Sequence, residues 1–166
     1  MDKTHLEQLG DLNIDFFESA KMSLLDPLGI FLANDIKWIK LDKNWNSLKF
    51  PVVIGGEGQP ILLLHGFDSS FLEFRRIYQS LKRNYKVIIP DLLGFGFCPR
   101  CAANEYNPSK IILYLVDILK TLQITNNLKI IGASMGGSTA LKLAFDIPDS
   151  IEKIILLSPA GLFGKP

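Results

Sequence analysis

The stretch Leu128 to Ala140, LKIIGASMGGSTA, constrains this chain more than any other, because an apolar strand pattern breaks at Gly132-Ala133-Ser134-Met135-Gly136 and resumes as a helix pattern. Leu128, Ile130 and Ile131 read as a short buried strand. Ala140, Leu143, Ala144 and Ile147 recur at i, i+3, i+4 and i+7 and predict a helix face that stops before Pro148. Only small neighbours permit a sharp bend between the two elements, and Gly132 and Gly136 flank Ser134 there. Such a turn lifts a serine hydroxyl above the sheet, where a base can reach it. The alternative is that Ser134 simply caps the helix that follows. In a chain with 13 glycines, GxSxG would arise by chance about once in fifteen such sequences of average usage, so its context carries the weight.

The same grammar extends upstream. From residue 60 onward strands and helices alternate: Pro60 to His65, a helix face at Phe71, Phe74, Tyr78 and Leu81, then Lys86 to Pro90. Asn107-Pro108 is a cap followed by a first-turn proline, and Ile111, Leu115, Ile118 and Leu122 form one helix face. Ile151 to Leu157 reads as the last strand, and its apolar run Ile154 to Leu157 is the pattern of a parallel strand covered on both faces. The alternation predicts a mostly parallel sheet with helices on both faces. Ile36 to Leu41 and Leu48 to Ile54 read as two further extended segments, with Pro51 placing the second near a sheet edge and the glycines at 55, 56 and 58 turning the chain. Residues 1–33 form an amino-terminal helical extension, separate from a domain over 34–166. Leu12, Phe16, Ala20 and Leu24 give its helix face, suited to packing or, alternatively, to a membrane or partner helix.

Composition excludes several classes. With 166 residues, 48% hydrophobic and 21% charged, the chain can bury a substantial core. A formal charge of +1 with interspersed signs offers no basic face to nucleic acid. Apolar runs such as Ile61 to Leu64 are far shorter than the roughly 20 residues that span a bilayer. The start of the chain lacks the order of a secretory signal and there are only two cysteines, so a cytoplasmic location is expected. No cofactor or metal is expected either. Pro99 stands at the third glycine position of a GxGxxG beginning at Gly94, and no GK[ST] follows the glycines at 55 to 58. Cys98 and Cys101 form a CxxC that only His5 and His65 could complete as a zinc site.

Three motifs close the three parallel strands: Leu64-His65-Gly66-Phe67, Pro90-Asp91-Leu92-Leu93-Gly94-Phe95-Gly96 and Gly132-Ala133-Ser134-Met135-Gly136-Gly137. Together they resemble the α/β-hydrolase superfamily over residues 36 to 160, and reactive groups in such sheets gather at the carboxyl ends of strands. The resemblance implies an α/β-hydrolase fold with Ser134 as nucleophile and the backbone amides of Phe67 and Met135 as oxyanion hole. It also implies that His65 packs behind its loop, that Asp91 satisfies loop amides, and that Cys98 replaces a serine often found there. Phe67, Phe71, Phe95 and Phe97 suggest a small substrate with an apolar acyl or aromatic group.

In that superfamily the acid and the histidine follow the nucleophile in chain order. No histidine follows Ser134 here, and the later acids are Asp146, Asp149 and Glu152, of which Asp146 is carried away by the helix. The chain therefore reads as an amino-terminal part of such a protein, with the last strands missing. Ile154 to Leu157 would then be an apolar sheet edge, through which self-association is expected. Three functions are compatible: a serine hydrolase acting on an ester or related acyl bond, a binding or interaction protein that performs no chemistry, and, because SMGG is similar to their elbow, part of a carbon–carbon bond hydrolase. A serine rather than an aspartate at the elbow argues against the epoxide-hydrolase and haloalkane-dehalogenase branches.

Overall fold

The computed structural model describes residues 3–41, 45, 48–100 and 106–161, with side chains from residue 13 onward. The side chains of His5 and Leu12, and Cys101, lie outside the described residues. Six strands, β1 (Ile36–Lys40), β2 (Lys49–Gly55), β3 (Gln59–Leu64), β4 (Tyr85–Pro90), β5 (Leu128–Ala133) and β6 (Ile151–Leu157), form one sheet in the order β1-β2-β4-β3-β5-β6. β3, β4, β5 and β6 run parallel, and β1 and β2 join antiparallel. β2 sits one strand in from the edge, as Pro51 suggested.

Alternation within β3 builds two cores. Leu62 and Leu64 face the helices α4 (Pro108–Thr121) and α5 (Met135–Asp146), packing with Leu115, Ile118, Ala140 and Leu143. Ile61 and Leu63 face the other way, toward Phe17 of α1 (Lys3–Met22), Leu32 of α2 (Pro27–Ala33) and the segment 71–81, a 3₁₀ turn running into α3 (Arg75–Leu81). Helices thus cover both faces, the arrangement that period-2 strands with two apolar faces require. α4 starts as the sequence indicated: the Asn107 side chain accepts the Lys110 amide at 2.9 Å and Pro108 occupies the first turn.

Two expectations need correction. In α1 the buried aromatic is Phe17, while Phe16 is mostly exposed. Phe17 lies three residues before Ala20 and seven before Leu24, which keeps all three on one stripe. β6 is not covered on both faces. It is an edge strand whose Ile154 and Leu156 pack toward α5, whereas Ile155 and Leu157 are 48% and 46% exposed on the opposite face, where no described helix reaches.

Candidate active site

β5 runs into α5 through Ser134, and glycines make that junction possible. A Cβ on Gly136 would lie 2.0 Å from the Leu64 carbonyl oxygen, and one on Gly132 would lie 2.4 Å from the Gly136 oxygen. The helix therefore begins in backbone contact with the sheet. The bend is absorbed by Ser134, at φ 50 and ψ −116, a positive-φ conformation that a residue with a side chain holds only when its surroundings enforce it. They do: its amide donates to the Leu157 oxygen at 2.9 Å, and its carbonyl accepts from Gly137 at 2.9 Å and Ala160 at 3.0 Å. The exposed Ser134 side chain makes no capping hydrogen bond, so the capping alternative falls away.

The loop after β3 lies alongside. A Cβ on Gly66 would stand 3.5 Å from the Ser134 Cβ, and the Gly66 amide donates to Glu73 Oε2 at 2.8 Å. Phe67 follows Gly66, and Met135 opens α5, where the first amides have no carbonyl partner within the helix. The structure therefore brings together Ser134 and the backbones of the Gly66-Phe67 loop and Met135. Glu73 was not singled out from sequence; a carboxylate seven residues beyond a turn carries no distinguishing signal.

His65 is fully buried. The Leu92 amide donates to its Nε2 at 2.9 Å, which leaves the proton on Nδ1, 2.7 Å from the Gly66 oxygen. Burial lowers its pKa, partly offset by the Gly66 carbonyl and the Glu73 charge. With both nitrogens committed it braces the loop, as the resemblance implied. Asp91 accepts from the Phe71 and Phe97 amides at 2.6 Å each, as expected of a loop-holding carboxylate. Burial pushes its pKa up to about 7 against the pull of those two amides and of Arg100. Cys98 donates to the Asp91 carbonyl at 3.2 Å and is a free, buried thiol whose pKa burial raises. Among the described residues no group of three His, Cys, Asp or Glu side chains could hold a metal ion.

Two of the acids after Ser134 are paired elsewhere. Asp146 pairs with Lys142, and Glu152 pairs with Lys129 at 2.6 Å near the amino ends of the strands. Beside Met135 and Phe67 opens an apolar cavity of about 550 Å³, walled by Leu93, Phe95, Tyr106 and Ile111. Phe67, 73% exposed, packs edge-on against Phe95 at 5.3 Å. Phe71 and Phe97 do not line it; they stack on each other and meet Phe17 edge-on in the opposite core, because Asp91 draws both their amides inward. A larger cleft of about 650 Å³, around Gln59, Lys86 and Glu152, lies at the other end of the sheet.

The family model for the alpha/beta hydrolase fold matches residues 59–165, which include the whole of this arrangement from β3 to the turn after β6. The chain belongs to the α/β-hydrolase family. It is 32% identical over 110 residues to 2-hydroxymuconate semialdehyde hydrolase of Pseudomonas sp. strain CF600, covering 64% of this chain and 38% of that protein. It is 33% identical over 106 residues to Lipase 1 of Psychrobacter immobilis, covering 64% and 33%. Among solved structures it superposes on a meta-cleavage product hydrolase from Pseudomonas fluorescens IP01 with a TM-score of 0.69 at 28% identity, covering 77% of this chain and 47% of that one. The chain thus spans about two fifths of the length of the hydrolases it matches. No helix among the described residues of this α/β-hydrolase is long and apolar enough to cross a membrane.

Proposed function

We propose that this chain carries the nucleophile half of a serine hydrolase acting on an ester or related acyl bond. Ser134 is the nucleophile, and the amides of Phe67 and Met135 hold the oxyanion. The observation that carries this reading is the positive φ of an exposed Ser134, held without a capping bond at a junction where a Cβ on either flanking glycine would meet backbone. Ser134 Oγ attacks the acyl carbon as its proton passes to a base, the carbonyl oxygen takes the negative charge, and the alcohol leaves with a proton. Water then releases the acid and regenerates Ser134. Two fixed amides, one at the start of a 12-residue helix, meet the developing charge, and losing one such donor costs about 3 kcal/mol.

The proton acceptor is not His65, whose nitrogens are both engaged. Without a base, the oxyanion hole and substrate binding alone still leave a residual acceleration on the order of a thousandfold. A fluorophosphonate probe tests the assignment: a covalent adduct on Ser134, absent in Ser134→Ala, supports it. Absence of any adduct supports instead a protein that binds through this fold without chemistry, and an adduct that forms only with a second chain supports complementation. A second reading, cleavage of a carbon–carbon bond, is favoured by the names of the matching relatives, among them 2-hydroxy-6-oxo-2,4-heptadienoate hydrolase of Pseudomonas putida. We place the protein in the cytoplasm, consistent with a reduced, buried Cys98, and take its partner to be a small apolar acyl or aromatic substrate rather than nucleic acid.

A further inference from the structure

The cavity beside Met135 and Phe67 is lined by apolar side chains except at one wall, where Arg100 stands with Tyr106 and Asn107. Arg100 is anchored by backbone alone: Nε donates to the Gly94 oxygen at 3.2 Å and Nη2 to the Gly96 oxygen at 3.4 Å. Both carbonyls belong to positive-φ glycines, at φ 89 and φ 53. Two of the five guanidinium N–H groups are thereby used and three remain. Among the described residues no carboxylate lies within ion-pair distance of it. Asp91, the acid whose charge it influences, is buried with each oxygen already accepting an amide. The other cations near this end are otherwise engaged, Lys142 with Asp146 and Lys110 over the Trp45 ring at 5.3 Å. An oriented guanidinium on the wall of an apolar cavity is suited to a planar anion, which it can meet with two parallel hydrogen bonds.

We propose that Arg100 is a specificity-determining residue that selects substrates carrying a carboxylate on an apolar or aromatic acyl chain. The reacting carbon would lie at Ser134 and the carboxylate at Arg100. This rests on the reading of Ser134 as the acyl-accepting end of the cavity, but its test does not need chemistry. 4-Phenylbutyrate and its amide have the same shape and differ in charge, so their dissociation constants, measured by ligand-observed NMR titration on the whole chain, isolate the role of the guanidinium.

The carboxylate is expected to bind about tenfold more tightly than the amide, the difference a charge-assisted pair supplies at a partly exposed site. Arg100→Met should reduce the preference to within twofold while leaving amide binding unchanged, and Arg100→Lys should keep part of it. Raising the salt concentration, which needs no variant, should erode the preference in the unmodified protein. Equal binding of the two ligands, or no binding of either, would overturn the proposal. So would an Arg100→Met variant that weakens both equally, since Arg100 would then serve only to hold the Gly94 to Gly96 loop. Repeating the titration with Ser134→Ala separates the two ideas: failure of Ser134 to react leaves the preference intact, and loss of the preference leaves the reactivity of Ser134 standing.

Discussion

Gly136→Ala should unfold this protein more readily than any other single methyl addition at the elbow. The added Cβ would stand 2.0 Å from the Leu64 oxygen, 2.5 Å from its carbonyl carbon and 2.6 Å from the His65 oxygen. Ordinary contact begins near 3.4 Å, so α5 and β3 must separate by about 1.4 Å. β3 cannot yield, because it is paired on both sides, to β4 and β5. The helix must retreat from a close-packed sheet instead, and overpacking of that kind costs about 1–3 kcal/mol or more. Since every clash is with backbone and none with a flexible side chain, we expect a loss of at least about 3 kcal/mol, a fall in Tm of roughly 6–12 °C for a chain of this size. Urea denaturation monitored by circular dichroism measures it. Gly29→Ala in α2 is the control: its Cβ would meet nothing closer than 3.7 Å, so helix propensity should stabilise it by up to about 1 kcal/mol. A Gly136→Ala variant within 1 kcal/mol of the parent would refute the tight junction on which the placement of Ser134 depends.

Three further outcomes follow from the same geometry. Ser134→Gly should be more stable than Ser134→Ala by about 1 kcal/mol or more in urea titrations, because only glycine relieves the strain at φ 50; equal stabilities would contradict that strain. The Asp91 pKa is raised from 3.8 to about 7 by burial, so the folded state binds the proton more tightly than the unfolded chain. Its contribution is present in full below about pH 3.8 and is lost as pH rises through about 7, on the order of 4 kcal/mol across that window. Asp91→Asn should be less stable, since its amide nitrogen cannot accept from Phe71 or Phe97, and its denaturant midpoint should lack this decline between about pH 4 and pH 7. The same decline in the variant would rule Asp91 out as its cause. Finally, the edge strand β6 with Ile155 and Leu157 exposed should drive self-association at micromolar concentration, detectable by light scattering and reduced by Ile155→Lys; a monodisperse monomer would contradict this.

The strand–turn–helix at Ser134 was legible because its signals are local: an apolar run, small residues at a bend, and a helix period after it. The same holds for the Asn107-Pro108 start of α4, yet Asp26-Pro27, with the same cap chemistry, opens the seven-residue α2, which is too short to show a period. In α1, four-residue steps from 12 to 16, 20 and 24 do not follow the buried face, which Phe17 marks. Each such step turns about 40° round the helix, whereas 17, 20 and 24 stay within about 60° of one another. The burial of β6 and the location of Phe71 and Phe97 depend on what packs across from them, and no local pattern encodes that. Sequence pointed correctly to His65 and Asp91 as loop supports, because their motifs put polar groups at strand ends where amides need partners. Arg100 and Glu73 act through loop carbonyls and amides that only the folded chain assembles.

The central claim, that Ser134 is an activated nucleophile position whose proton acceptor is not His65, is tested most directly by site-resolved fluorophosphonate labelling with and without imidazole, which can accept the Ser134 proton from solution. The account predicts an adduct on Ser134 ahead of every other serine, formed slowly alone and faster as imidazole is added, and absent in Ser134→Ala. Labelling spread evenly over the serines, or a Ser134 rate indifferent to imidazole, would contradict it.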